Sequence, residues 1–284
     1  MIITIGSGKG GTGKTTVATN LALCLEKHNI PVQFIDCDVE EPNANLFLKA
    51  DIKSREPVTV MVPEIDEKLC IHCDQCAKFC RFNSLVVFPD KVLIFPEMCH
   101  SCQGCVIICP FDAIKPKQRA IGTIELGQLK QMKFAQGLIN IGEARATPVI
   151  AKLQSFIAPN LTTILDAPPG TSCPFVETLK KSDVCVLVTE PTPFGLNDLK
   201  LAVEVTEIFN IPRGIIINRS DIGDDQVEKY CQEKQIEILM KIPHDLKIAQ
   251  AYSNGIPIVE ALPEYENKFL ELHKKIIKLK ENKR

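Results

Sequence analysis

Eight of the thirteen cysteines of this 284-residue chain lie in one short stretch and repeat at regular spacing. Cys70, Cys73, Cys76 and Cys80 recur 29 residues later as Cys99, Cys102, Cys105 and Cys109. Disulfides are rare in chains that glutathione and thioredoxin keep reduced, whereas a thiolate at every third residue can wrap a short loop around a metal centre. The spacing therefore predicts metal ligation rather than disulfide pairing.

The two cysteine motifs resemble those of the bacterial two-cluster ferredoxins, in which the fourth cysteine of each motif ligates the other cluster. By that resemblance we expect one [4Fe–4S] cluster on Cys70, Cys73, Cys76 and Cys109, and the other on Cys80, Cys99, Cys102 and Cys105. Zinc is the alternative, although its sites usually show paired C-x2-C units. Arg81 stands where the second motif has Pro110, and we expect its charge to raise the potential of the second cluster.

A glycine-rich stretch near the start of the chain follows the phosphate-binding pattern G-x4-G-K-[ST]. It runs Gly8-Lys9-Gly10-Gly11-Thr12-Gly13-Lys14-Thr15, between an apolar run and a helical pattern. Glycines let backbone N–H groups turn toward phosphates, and the N-terminus of the following helix adds partial positive charge. Lys14 is expected to reach the β- and γ-phosphates, and Thr15 to ligate Mg²⁺. A glycine-rich turn that binds nothing is the alternative.

Carboxylates follow two apolar runs that read as strands. Asp166 comes directly after 161–165, which is the Walker B arrangement that supports Mg²⁺. Asp36 and Asp38 follow a second apolar run at 32–35. Because α/β folds bind ligands at the carboxyl edge of the sheet, we expect Asp36 to join Thr15 and Asp166 at the magnesium ion.

These residues together resemble the deviant Walker A group of P-loop ATPases, which contains MinD, ParA, the nitrogenase iron protein and the Mrp-type iron–sulfur carriers. The likeness rests on the extra lysine Lys9, on Asp36-Cys37-Asp38 as switch I and on Asp166-Ala167-Pro168-Pro169-Gly170 as switch II. It implies that Lys9 reaches the partner's nucleotide across a nucleotide-dependent homodimer and that Asp38 orients the attacking water, with Lys14 as the third catalytic residue.

The same resemblance implies that Thr16 contacts the α-phosphate and that Asn218 binds the adenine. The expected nucleotide site is therefore Gly8, Gly10, Gly11, Thr12, Gly13, Lys14, Thr15, Thr16 and Asn218.

Strand and helix patterns alternate along the rest of the chain. Strands are expected at 162–165, 184–188 and 214–217, and helices around 197–209, 224–234 and 245–254. Such alternation predicts an α/β fold with a mostly parallel sheet flanked by helices. We expect residues 1–63 and 117–284 to form one P-loop ATPase domain, interrupted at 64–116 by a small ferredoxin domain of the bacterial two-[4Fe–4S] type.

Composition removes some partner classes. Lys and Arg total 33 against 35 Asp and Glu, so we expect no nucleic-acid partner. The chain reaches Gly6 too soon for a signal peptide and has no apolar run that could span a bilayer, so a cytoplasmic location is expected. Within 265–284, apolar residues at helical spacing lie among lysines. Packing on the sheet is the preferred interpretation, and membrane contact the weaker one.

The combination predicts an ATP-binding and hydrolysing iron–sulfur protein that uses ATP or ADP, Mg²⁺ and two [4Fe–4S] clusters. Hydrolysis is expected to be slow and partner-stimulated, and the dimer switch to control electron transfer to a redox partner protein. Two alternatives remain: an iron–sulfur cluster carrier or assembly ATPase of the Mrp kind, and a MinD-like positioning or scaffold ATPase with structural or redox-sensing clusters.

Overall fold

The computed structural model describes residues 1–282. Its strands are β1 (Ile2–Gly6), β2 (Val32–Asp36), β3 (Asp51–Ile65), β4 (Leu85–Val87), β5 (Val92–Ile94), β6 (Ile114–Leu129), β7 (Met132–Ile139), β8 (Thr162–Asp166), β9 (Val184–Thr189), β10 (Arg213–Asn218) and β11 (Ile238–Ile242). Its α-helices are α1 (Lys14–Lys27), α2 (Asn45–Leu48), α3 (Gln75–Phe79), α4 (Gly104–Ile108), α5 (Thr147–Leu153), α6 (Cys173–Leu179), α7 (Pro193–Ile208), α8 (Gln226–Glu233), α9 (Leu246–Ser253), α10 (Ile258–Ala261) and α11 (Glu264–Glu281).

A nine-stranded sheet forms the centre of the described residues, in the order β11-β10-β9-β1-β8-β2-β7-β6-β3. Neighbouring strands are parallel from β11 through β7, and the last two pairs are antiparallel. The prediction of an α/β fold with a mostly parallel sheet is confirmed. Every residue of β2 and β9 is buried, as expected for parallel strands when helices cover both faces of the sheet.

Helices cover both faces of this sheet. One face packs against α1, α10 and α11, and the other against α5 to α8. The apolar stripe of α11 belongs to the first of these cores, where Tyr265, Phe269, Leu272 and Ile276 are buried. Acidic residues in the first turn of α11 and lysines in its last turn complement the helix dipole. The stripe is therefore used in folding, although residues 283 and 284 of the predicted segment lie outside the described residues.

The sheet ends in a long antiparallel ribbon that the sequence did not predict. β3 and β6 pair along their whole length, from Asp51 opposite Gln128 to Ile65 opposite Ile114. The cysteine-rich segment, residues 66–113, emerges from the far end of this ribbon. Pro63 lies opposite Pro116, so the two expected domain borders fall at one level of the ladder. That the segment beyond them is a separate domain stays a prediction.

Candidate functional site

Glycines shape the loop between β1 and α1. Gly13 has a φ of 91°, and a Cβ there would lie 2.4 Å from Asn218 Nδ2. A Cβ on Gly8 would lie 2.2 Å from a backbone oxygen of α7. At Gly10 and Gly11, by contrast, no heavy atom of the described residues comes within 4 Å of a Cβ position. The loop is held tightly at both ends and leaves an open cradle in the middle, as a phosphate site requires.

A cavity of about 480 Å³ opens beside this cradle. Asn218, from the end of β10, borders it and donates from Nδ2 to the Thr12 carbonyl oxygen at 2.8 Å. The predicted residues that line the cavity are Gly10, Gly11, Gly13, Lys14, Thr15, Thr16, Asp38 and Asn218. Gly8, Lys9, Thr12, Asp36 and Asp166 do not line it. Ile248 and Tyr252 of α9 add an apolar wall that the sequence did not predict as part of the site.

Lys14 lies among carboxylates at the base of the cavity. Its Nζ is 2.7 Å from Asp166 Oδ1, 3.8 Å from Asp38 Oδ2 and 3.3 Å from Thr15 Oγ1. Burial alone would lower the pKa of this ammonium group, but Asp166, Asp38 and Asp36 outweigh that effect and raise it. Lys14 is therefore a fixed positive charge in a water-poor setting.

Asp36 and Asp166 are direct neighbours across β2 and β8, and both are fully buried. Asp36 accepts backbone N–H bonds from Asp38 at 3.0 Å and Ala44 at 3.1 Å. Burial and the adjacent Asp166 raise the pKa of Asp36 to about 8, and burial raises that of Asp38 to about 6. Asp166 Oδ2 is buried with no hydrogen-bond partner in residues 1–282. A cluster of buried carboxylates with a free oxygen suits a divalent cation.

The eight repeated cysteines line two cavities, and each cavity takes residues from both repeats. Cys80, Cys99, Cys102 and Cys105 border a cavity of about 290 Å³. Cys70, Cys73, Cys76 and Cys109 border a smaller one of about 20 Å³. Arg81 borders the larger cavity and Pro110 the smaller one. These two groups have the same members as the two expected ligand sets.

The backbone of the cysteine-rich segment repeats with the same 29-residue shift as its sequence. Left-handed residues occur in three such pairs, listed as His72 and Ser101, Asp74 and Gln103, and Asn83 and Asp112. Helices α3 and α4 are related by this shift. Leu85 pairs with Ile94, and their equivalents under the shift, Ile114 and Ile65, pair with each other. The strand that follows each motif therefore pairs with the strand that precedes the other motif. Strand exchange brings the fourth cysteine of each motif to the other half.

The thiols of each motif lie close enough to interact electrostatically. Burial, and then the thiol of Cys99, raises the pKa of Cys105 to about 11. Burial likewise raises the pKa of Cys76, with smaller contributions from Cys70 and Cys73. Within residues 1–282, no three His, Cys, Asp or Glu side chains converge as ligands of one metal ion.

Other candidate residues lie elsewhere. Lys9 Nζ is 3.5 Å from Glu190 Oε2, and neither residue lines the cavity beside the glycine-rich loop. Cys173 is exposed at the first position of α6. Cys24, Cys37, Cys185 and Cys231 are buried. Over residues 1–282, the helices are all too short or too polar to cross a membrane.

Comparisons with known proteins agree with this fold. The chain is 31% identical over 258 residues to an uncharacterized protein of Methanocaldococcus jannaschii, with 90% of each chain covered. It is 28% identical to the iron–sulfur cluster carrier protein of Pyrococcus horikoshii, which covers 99% of this chain and 87% of that protein. The septum site-determining protein MinD of Pyrococcus horikoshii, solved with Mg-ADP, has a similar fold. Its TM-score is 0.61 at 20% identity, over 100% of this chain and 98% of that one.

The model of one nucleotide-binding family, described as CobQ/CobB/MinD/ParA, matches residues 3–258. The chain therefore belongs to the CobQ/CobB/MinD/ParA nucleotide-binding family of α/β P-loop proteins.

Proposed function

We propose that this protein is an ATP-hydrolysing iron–sulfur protein whose cysteine-rich segment is a ferredoxin-like domain with two [4Fe–4S] clusters. One observation carries the proposal: each cavity is lined by three cysteines of one repeat and the fourth cysteine of the other. This is the ligand pattern of two-cluster ferredoxins. It occurs on the same chain as a phosphate-binding loop.

The residues fit clusters better than single ions. A tetrahedral zinc ion needs four ligands within about 2.3 Å of one point, whereas each iron of a cubane takes its own thiolate. The first cluster would be held by Cys70, Cys73, Cys76 and Cys109, and the second by Cys80, Cys99, Cys102 and Cys105. A bound cluster supplies one-electron redox chemistry, or is itself the cargo of a carrier.

The nucleotide site would work by exchange of partners at Lys14. When ATP binds, its β- and γ-phosphates would replace Asp166 as the counter-charge of Lys14, because Lys14 borders the open cavity and Asp166 does not. Asp166, whose second oxygen has no partner among the described residues, and Thr15 would then hold Mg²⁺, with Asp36 beside them. Asp38 borders the cavity and would orient the water that attacks the γ-phosphate.

The remaining nucleotide contacts follow from the resemblance to the deviant Walker A group. Thr16 would contact the α-phosphate and Asn218 the adenine, both from the cavity wall. Lys9 would reach the nucleotide of a second copy in a nucleotide-dependent homodimer. Hydrolysis would be slow until a partner stimulates it, as in other P-loop switches.

Cluster carriage is the better-supported purpose. Relatives named iron–sulfur cluster carrier protein align with almost the whole chain, including that of Pyrococcus horikoshii. To test carriage, the anaerobic protein is loaded with radioactive iron and mixed with an apo-protein that needs a [4Fe–4S] cluster. We expect transfer that MgATP accelerates and that Lys14→Ala abolishes. Iron that stays bound under all nucleotide conditions would reject carriage.

Electron transfer is the second candidate, and the ferredoxin-like ligand pattern favours it. A redox partner protein would then receive electrons at a rate that depends on nucleotide. Reduction of a low-potential acceptor dye by the prereduced protein, with ADP or with a non-hydrolysable ATP analogue, tests this directly. Equal rates would count against a nucleotide-controlled electron carrier.

A MinD-like scaffold is the third candidate. The apolar stripe of α11 is buried in the core, which weighs against membrane contact through 265–282. The near balance of charged residues gives no reason to add a nucleic-acid partner. A cytoplasmic location stays a prediction.

A further inference from the structure

Two arginines connect the main sheet to the loop of the second cysteine motif. Arg145, just before α5, donates from Nη1 to the carbonyl oxygen of Cys99. Arg119, on β6, lies with Nη2 3.4 Å from Glu97 Oε1. Both arginines bind Glu143: Arg119 Nη1 bonds to Oε2, and Arg145 Nε lies 3.1 Å from Oε1. One carboxylate thus holds both arginines, of which Arg145 contacts Cys99 and Arg119 contacts the residue two positions before it.

The centre of this network is buried, which distinguishes it from surface ion pairs. The Glu143 side chain is only 1% exposed and that of Arg145 12% exposed. Although burial acts the other way, the two arginines hold the pKa of Glu143 below its usual value. Arg145 Nη2 is buried and has no partner within residues 1–282, although a guanidinium group can donate five hydrogen bonds. Arg145 therefore has donor capacity left on the guanidinium group that already donates to Cys99.

The other end of the network reaches the nucleotide site. Asp38, which borders the nucleotide cavity, is followed by Val39, whose carbonyl oxygen accepts from Ile139 N at 3.0 Å. The chain continues from Ile139 through Asn140, whose carbonyl oxygen accepts from Glu143 N at 3.0 Å. Backbone hydrogen bonds thus connect the loop after β2 to Glu143.

We infer that Glu143 and Arg145 couple the nucleotide site to the second cluster, with Arg145 as a positioning residue whose charge stabilises the reduced state of that cluster. The inference rests on the proposed function. A cation beside a cluster that gains negative charge on reduction raises its potential, by an amount that depends on distance. When nucleotide moves Asp38 and Val39, Glu143 shifts Arg145 relative to Cys99. Coupling is reciprocal, so reduction must also change nucleotide affinity.

The test uses the anaerobic full-length protein, with iron content measured first. Redox titrations followed by electron paramagnetic resonance are run with MgADP and with a non-hydrolysable ATP analogue. We expect one of the two midpoint potentials to respond to nucleotide, and we identify it as the second cluster by its loss in Cys102→Ser. The Kd of the analogue should differ at least threefold between oxidised and reduced protein. A tenfold ratio corresponds to a shift of about 59 mV for one electron.

Three variants separate the roles of the network. Arg145→Gln should lower the responding potential and remove its nucleotide response, while the other potential is unchanged. Arg145→Lys keeps the charge but not the planar fork, so it should retain the potential and lose the response. Glu143→Gln keeps Arg145 without its anchor and should also lose the response. Arg213→Gln is the matched control, because Arg213 also pairs with one glutamate and has a buried unpaired nitrogen in the described chain.

A fully loaded Arg145→Gln protein with the wild-type nucleotide response would overturn the inference. If Arg145→Gln fails to hold its iron, the same response in Arg145→Lys and Glu143→Gln would overturn it. A wild-type protein with two clusters and ATPase activity but no response of either potential would overturn it and leave the proposed function standing. Absence of iron from the wild type would reject both.

Discussion

Glu190 holds Lys9 within its own chain, with Lys9 Nζ 3.5 Å from Glu190 Oε2. The other oxygen of Glu190 accepts from Arg219 at 2.6 Å, and the Glu190 side chain is only 9% exposed. If Lys9 acts on the nucleotide of a second copy, it must leave Glu190 first. In the proposed homodimer, the contact would therefore oppose association.

Replacement of Glu190 by Gln should favour the dimer. The amide keeps the shape of the side chain but removes the charge that attracts Lys9, so dimerisation with MgATP should strengthen by about 3- to 10-fold, in line with a partly exposed ion pair. Analytical ultracentrifugation with a non-hydrolysable analogue measures this. Glu207→Gln, which removes the partner of Arg213, is the control. Weaker association of Glu190→Gln would contradict the assigned role.

Lys14→Ala should lower ATP hydrolysis by about 100-fold and weaken MgATP binding by at least about tenfold, because the phosphates lose their fixed cation. It also leaves the buried Asp36 and Asp166 and the partly buried Asp38 without a positive neighbour, which should destabilise the fold by about 3–5 kcal/mol. Calorimetric titration and thermal unfolding measure the two effects. Lys229→Ala, at an exposed ion pair with Asp225, should leave both unchanged. Retained hydrolysis in Lys14→Ala would contradict the proposed site.

Single cysteine replacements should remove clusters in crossed pairs. Cys80 and Cys102 line the same cavity, so Cys80→Ser and Cys102→Ser should lose the same cluster. Cys73 and Cys109 line the other cavity, so Cys73→Ser and Cys109→Ser should lose the other cluster. Each variant should retain about four irons, half the content of two [4Fe–4S] sites. Electron paramagnetic resonance of the reduced variants identifies which cluster remains.

The control for this series is Cys173→Ser, an exposed cysteine outside the repeats, which should keep both clusters. If Cys80→Ser instead loses the same cluster as Cys73→Ser, each motif serves one cluster and the crossed arrangement is wrong.

The buried histidine of α11 should make stability depend on pH. Burial lowers the pKa of His273, and its Nε2 has no partner in the described chain. Below the usual histidine pKa of 6.5 the unfolded chain therefore binds a proton that the folded chain resists, and the free energy of unfolding falls as pH falls. The slope should not exceed about 1.4 kcal/mol per pH unit. Urea unfolding between pH 7 and 5 measures the dependence of the free energy of unfolding on pH. The contribution of His273 to this slope should disappear in His273→Leu. Identical slopes in the two proteins would mean that this face of α11 is not packed as described.

The parallel strands were predictable because burial on both faces demands continuous apolar runs. The expected strand at 184–188 is β9, and the expected helix at 197–209 is α7, which begins earlier, at Pro193. The antiparallel ribbon was missed because β3 is an edge strand with few buried residues and two prolines, so its apolar and polar residues do not alternate. Its pairing with β6 depends on the whole fold.

The candidate site likewise has one part that the sequence predicts and one part that only the fold brings together. Local spacing in the sequence is enough to predict the chemistry of Cys70 to Cys80 and of Gly8 to Thr15. Lys9–Glu190 and Arg145–Cys99 join residues far apart in the chain, and no periodic pattern signals them. The 29-residue repeat of the sequence is matched by a repeat of the backbone, since left-handed residues recur at the same spacing in both halves.

The most direct test of the account is the metal content of the wild-type protein purified without oxygen. Iron and sulfide analysis with Mössbauer spectroscopy should give about eight irons and eight sulfides per chain, all in [4Fe–4S] clusters. Two tetrahedral zinc ions, or iron that does not exceed four per chain after reconstitution, would contradict the central claim that the two cysteine-lined cavities are paired cluster sites.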